Sequence, residues 1–248
     1  MGFKEIVSVT GVKPVLFTLL MASFGFGIII PLLPFYALSI GATPFDLGVL
    51  TAVFAFMSLV FSPVLGKLSD KIGRKKVLLI GTIGFFLAYL IFAFSTSLEM
   101  LLFARALEGI AAAGIFPACI SLLSDYTTER QRGEAMGLVG MSFSLGFMIG
   151  PAFGGLAAGI SVQAAFFLAA LLALANFASV FFQVREPKEK AESKAVVAQE
   201  ITLLEHIKSP ILLLFLASFM TAFMIGGLDA TLAIFLNEKL GFTATQMG

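Results

Sequence analysis

The sequence predicts an all-α fold, a polytopic membrane helix bundle. Three observations predict it: a composition too apolar to cover a water-facing surface, long runs without charge, and basic residues gathered at alternate ends of those runs. Of 248 residues, 59% are hydrophobic and 12% charged, against about 25% charged in an ordinary soluble domain. Mean hydropathy is +1.02. A soluble helical bundle would need polar helix faces, and these segments have none. The net charge of +1 argues against nucleic acid as a partner, since polyanion binding needs a basic excess gathered on one face.

An uncharged run of ~20 residues is enough to cross the hydrocarbon core as a helix. Such runs lie between Lys13 and Asp46, between Asp46 and Lys67, and between Lys76 and Glu99, and they predict spans one to three. The fourth, from about Met100 to Ser124, carries Arg105 and Glu108 inside it. The run from Ala135 to Val184 is too long for one helix and must turn, most simply at Gly159 to Gln163, which yields spans five and six. A seventh runs from Pro210 to about Leu236, and Thr243 to Gly248 would open an eighth. The expected organisation is a six-helix transmembrane bundle over 1–184, a cytoplasmic linker over 185–209, and over 210–248 the seventh span with the start of an incomplete second bundle. The linker begins "REPKEKAESKAVVAQE" at Arg185, charged and poor in bulky residues. Thr202 and Glu205 then have capping-box spacing, which predicts a short interfacial helix before Pro210.

Basic residues set the orientation. With the N-terminus cytoplasmic, the inner segments hold Lys4, Lys13, the cluster Lys67 to Lys76, Arg130, Arg132, Arg185 and the linker lysines to Lys208, while the outer turns hold only Lys239. The protein is therefore expected to be a multi-pass integral protein of the cell membrane. The first apolar run is long, interrupted by proline and lacks a clear small-residue cleavage site, so it reads as an anchor rather than a signal peptide. With no Trp and three Tyr the interfacial aromatic belt is thin, and the 28 Phe substitute for it in part.

Offsetting the chain by 200 residues sets Phe35, Gly41, Thr43 and Gly48 over Phe235, Gly241, Thr243 and Gly248, with Gly27 over Gly227 and Leu32 over Leu232. The similarity is modest, but it falls where a second six-span unit would begin, as in duplicated transporters.

Four motifs then carry a specific resemblance. "GKLSDKIGRKK" (Gly66 to Lys76), after the second span, resembles the signature loop of the major facilitator superfamily. "RALEGIAAA" resembles that family's fourth-span motif, "GFMIGPAFGG" (Gly146 to Gly155) the fifth-span motif of its drug and proton antiporters, and "GFGIIIPLLP" (Gly25 to Pro34, with Pro31) the first-span motif of the twelve-span exporters. Their order along the chain covers nearly all of one six-span half, so the resemblance implies an N-terminal half and the opening of a second.

In the first motif, Gly66 would permit close backbone approach as the second span ends, Asp70 would accept from donors at a helix N-terminus, and Gly73 would let the chain reverse. Resemblance nominates Asp125 as the acid that pairs with Arg74 in a cytoplasmic gate, a lock that holds one conformation and breaks during the switch; the alternative is that Lys71, Arg74, Lys75 and Lys76 only set topology. Gly146, Gly150 and Gly154 recur every fourth residue and make one helix side flat enough for close packing, Gly155 extends the motif, and Pro151 removes a donor and is expected to bend the helix there. The family associates this segment with contact between the two halves and with control of leak. Arg105 and Glu108 lie roughly 9–14 Å below the outer end of the fourth helix at ~1.5 Å per residue, where an ionisable group needs a partner or a wet cavity. Their spacing allows mutual neutralisation, and because the family more often has Gln where Glu108 stands, a proton or cation role is open as well. Asp229, in the outer half of the seventh span, has no sequence-local partner and is the stronger candidate for a proton or cationic-substrate site. Asp46 and Glu99 read as caps at outer helix starts.

Enzyme chemistry lacks its parts. One His (His206) and one Cys (Cys119) assemble neither a metal cluster nor a nucleophilic pair, and the residues around Gly66 and Lys67 do not form a phosphate-binding loop. A proton is thus the expected coupling ion and no cofactor or metal is expected. The reading is a secondary active transporter of the drug-efflux antiporter type that moves small lipophilic compounds by alternating access. Its alternatives are a sugar or metabolite exporter of the same superfamily and a truncated, non-transporting membrane protein, because alternating access needs the missing second half or another chain.

Overall fold

The structure, a computed structural model, describes residues 11–186 together with isolated positions at 6, 9, 216, 217, 220, 221, 224 and 235. Six helices follow one another: α1 (Val12–Ser39), α2 (Pro44–Ile72), α3 (Arg74–Phe94), α4 (Leu98–Tyr126), α5 (Glu129–Ala158) and α6 (Val162–Gln183). Each is long and apolar enough to cross a membrane, and the described residues contain no strand. The six expected spans of the first bundle are all present, and the long run after Ala135 breaks at 159–161, within the expected turn. The linker beyond 186, the interfacial helix, Asp229 and most of the seventh span lie outside the described residues.

Helix boundaries follow from local chemistry. A helix end leaves backbone N–H groups without intrahelical partners, so capping side chains cluster there. Thr43 and Asp46 form a reciprocal capping box at the start of α2, with the Thr43 amide 2.7 Å from Asp46 Oδ2. Thr128 and Gln131 do the same for α5, while Ser97 Oγ accepts from the Met100 amide and Ser161 Oγ from the Ala164 amide. The cap reading of Asp46 therefore matches the geometry. Between α2 and α3 the only non-helical residue is Gly73, at φ 104°, ψ 146°, backbone space open to glycine and closed to residues with a Cβ. The signature stretch is thus helical on both sides of a one-residue break rather than an extended loop.

With connections this short, successive helices run antiparallel. α1 packs mainly on α5 and α6, α4 on α3 and α2, and α3 also on α6. The core between them holds Leu19, Ile28, Leu32, Phe85, Phe92, Leu101, Leu122 and Phe166. Helices α2 and α5 contribute least to it: α2 buries only Leu47, Leu50 and Ser69, and large apolar side chains such as Phe56, Leu59, Met148 and Leu156 stay exposed. One end of the bundle carries Lys67, Lys71, Arg74, Lys75, Lys76, Arg130, Arg132 and Arg185, whereas the turns at the other end, 40–43, 95–97 and 159–161, contain no Lys or Arg. These are called the basic end and the opposite end below.

Candidate functional site

At the basic end, three helix termini are tied together. The Arg74 guanidinium reaches from the start of α3 to the end of α4, donating to both the Asp125 carboxylate and the Ser121 carbonyl. Ser121 and Asp125 are one turn apart, so the cation also sits where the C-terminal carbonyls of α4 concentrate negative potential. The expected Arg74–Asp125 pair is therefore formed, and both partners belong to the same six-helix bundle. Reciprocally, the exposed N–H groups of α3 are satisfied by a carboxylate: the Arg74 and Lys75 amides donate to the two oxygens of Glu186 at 2.8 and 2.9 Å. A Cβ on Gly73 would lie 3.0 Å from that carboxylate, a second reason for glycine besides its dihedral. Lys75 Nζ donates to the Phe181 carbonyl in the last turn of α6 at 2.8 Å, and the Tyr126 hydroxyl donates to the Arg185 carbonyl.

Beside this knot, between α2 and α4, lies a pocket of about 80 Å³ lined by Leu65, Gly66, Ser69, Asp70, Gly114, Pro117, Ala118 and Ser121. A Cβ at Gly66 would meet nothing within 4 Å among the described residues, so helices α1 to α6 supply no close backbone approach there, and Gly66 lines the pocket instead. The close approach between α2 and α4 occurs deeper, where a Cβ on Gly109 would fall 2.5 Å from the Phe54 carbonyl oxygen.

Further into the bundle, Arg105 Nη1 donates to Glu108 Oε2 at 2.7 Å. The carboxylate is fully buried and the guanidinium nearly so. Arg105 lies 5.6 Å from the Phe54 ring centre on α2 and 5.8 Å from that of Phe92 on α3, both favourable cation–π distances. The expected mutual neutralisation is realised, yet one oxygen of Glu108 and Nε of Arg105 keep no protein partner.

The glycine face of α5 is spent on α1. Cβ atoms on Gly146 and Gly150 would come within 2.7–2.8 Å of Leu20, Ser23, Phe24 and Gly27 atoms, mostly backbone, and one on Gly154 within 3.2 Å of the Ile28 carbonyl. These residues let two helix backbones touch, as the spacing predicted, with Gly155 buried in the same region and Pro151 inside an uninterrupted helix. Pro31 and Pro34 are likewise inside α1, and Gly25 faces the Tyr89 ring.

The sequence-predicted residues thus fall into separate groups. Arg74 and Asp125 meet, Arg105 and Glu108 meet, and Gly66 and Asp70 line the pocket between α2 and α4. Sequence reasoning missed Glu186, assigned to the linker, as well as Tyr126 and Tyr89. The available signal for Glu186 was an acid directly after the sixth span, opposite the uncapped, basic start of α3.

Comparison with known proteins places this geometry. The profile of the Major Facilitator Superfamily matches residues 15–248. The chain is 38% identical to "Tetracycline resistance protein, class B" of Escherichia coli over 92% of its own length and 59% of that protein's. It is 33% identical to "Multidrug resistance protein 2" of Bacillus subtilis over 90% of itself and 57% of the relative. Among solved structures, a bacterial homolog of the human lysosomal transporter Spinster, inward-facing and unoccupied, superposes with a TM-score of 0.81 at 19% identity, over 99% of this chain and 58% of the other, a likeness of fold. The chain spans a little over half the length of these relatives.

Proposed function

Because the chain belongs to the Major Facilitator Superfamily, we propose that it forms the N-terminal half of a secondary active transporter that exports small lipophilic or drug-like compounds in exchange for protons, with no enzymatic step. The observation that carries this reading is its 31–38% identity to proteins named for multidrug, tetracycline and quinolone resistance, joined to a fifth-span glycine motif that packs backbone to backbone on α1. Transport by alternating access needs two bundles that rock about a central site. The sparsely buried faces of α2 and α5 would receive the second bundle, whether it continues from the seventh span or comes from another chain.

In this reading the basic end is cytoplasmic, as the positive-inside rule requires. The Arg74–Asp125 pair, with Gly66, Asp70 and Gly73 around it, stiffens the cytoplasmic ends of α3 and α4 so that they move as one piece against the second bundle. Protons are taken up at Glu108, beside Arg105, or at Asp229; neutralising a buried carboxylate changes the relative free energies of the inward-open and outward-open states. The test is pH-driven efflux of a lipophilic cation from proteoliposomes that hold the complete transporter. Asp229→Asn or Glu108→Gln is expected to abolish proton-driven export while the protein remains folded, and undiminished export in both variants removes the proton assignment. Reporter tags at Gly41 and Gly159 should be reached only from outside the cell; labelling from the cytosol would invert the orientation.

A further inference from the structure

Three polar atoms in the core, Tyr89 Oη, Glu108 Oε1 and Arg105 Nε, are buried without a protein hydrogen-bond partner. The pairing of α3 with α4 sets their residues at one level of the bundle. Helices α3 and α4 run antiparallel, Phe92 faces Arg105, and Gly84 faces Ala111 further along the same seam. Stepping three residues back along α3 and three forward along α4 from the Phe92–Arg105 contact brings Tyr89 and Glu108 to the same level.

We propose that these atoms form a buried hydration site, in which bound water joins the Tyr89 hydroxyl to the second oxygen of Glu108 and to Arg105, making Tyr89 a positioning residue for the carboxylate. The chemistry of the set suits water. Arg105 Nε only donates, a carboxylate oxygen only accepts and a phenol does both, so a water among them finds the two to four polar partners that hold one in a protein interior. Leaving all three atoms dry in a low-dielectric core is the costlier arrangement. On the α1 side Gly25 lets the Tyr89 ring pack close to the helix backbone, because a Cβ there would lie 3.0 Å from the ring and 3.4 Å from its hydroxyl. The hydration is independent of the export reading; only the use of this water as a path for protons to Glu108 rests on that reading.

Hydroxyl-radical footprinting by X-ray pulse, in H2-18O and on the whole chain in lipid nanodiscs, tests the site directly, because water held beside a sealed side chain labels it. Tyr36 is the internal reference, being buried too but bonded to the Ser95 carbonyl. Tyr89 is expected to be labelled several-fold more than Tyr36, and equal or weaker labelling overturns the proposal. Tyr89→Phe provides an independent sign. Deleting a hydroxyl that bridges through water lowers the melting temperature, whereas deleting a dry, unsatisfied one leaves it unchanged or raises it, and either of the latter results also overturns the proposal. Should the variant not fold, the footprint of the native chain decides. A hydrated site in a protein that exports nothing would sink the export reading alone.

Discussion

Helix α4 holds one arginine–carboxylate pair within the bundle, Arg105–Glu108, and another at the basic end, Asp125–Arg74. The first joins residues one turn apart on the same helix and is sealed between Phe54 and Phe92. The second spans 51 residues of chain, keeps some contact with solvent, and fastens one helix end to another. The two therefore answer different problems. A pair at i, i+3 is brought together by its own helix, so its meaning lies in two charges held where charge is expensive. The long-range pair constrains tertiary structure, and it does not act alone. Glu186 on the amides of α3 and Lys75 on the last turn of α6 complete the same fastening.

The largest effect expected from breaking this contrast is at the deep pair. Glu108→Ala leaves Arg105 as an uncompensated buried charge and should cost about 3–5 kcal/mol, read by reversible unfolding in mixed micelles. Replacing both residues, Arg105→Met with Glu108→Leu, should recover most of the loss, and a double variant no more stable than the single one would show that the pair is not the source of the cost. At the basic end, Asp125→Ala should cost about 1.5–3 kcal/mol, the range for hydrogen bonds to charged groups. That loss should shrink with added salt, since this pair retains solvent contact, while the deep variant should be insensitive to salt; equal salt dependence would erase the distinction. The smallest effect belongs to Glu186→Ala, which removes a carboxylate cap and should cost about 1 kcal/mol. It should also raise hydrogen exchange at the Arg74 and Lys75 amides with little change elsewhere in α3, and exchange that is unaltered at those two amides would show that Glu186 is no cap.

Several parts of the site were legible because their causes are local. Asp46 was readable as a cap from its place after Thr43 and Pro44, and the α5 glycine face from its four-residue recurrence. The pairing of Arg105 with Glu108 was one of two readings left open by spacing, and the structure shows the pair made while Glu108 Oε1 and Arg105 Nε keep no protein partner. Gly66 was not legible in this way, because a glycine at the end of a span looks the same in a sequence whether it meets a neighbouring backbone or faces a pocket. Glu186 escaped notice because a charged residue that opens a linker reads as solvated until the start of α3 is seen beside it.

By itself, the sequence determined that this chain forms membrane-length helices, which stretches of chain hold six of them, and where the basic residues gather. Lipid cannot hydrogen-bond a backbone, so every span must satisfy its own amides as a helix, and that demand is written into runs of apolar residues, capping side chains and the placement of charge. Only the tertiary structure decided which helices touch: that the glycine face of α5 meets α1, that Arg74 and Glu186 knot three helix ends, and that Tyr89 stands level with Glu108. Helices in lipid are sorted by close packing and a few polar contacts between residues far apart in the chain, and no spacing along a single segment records the partner across from it.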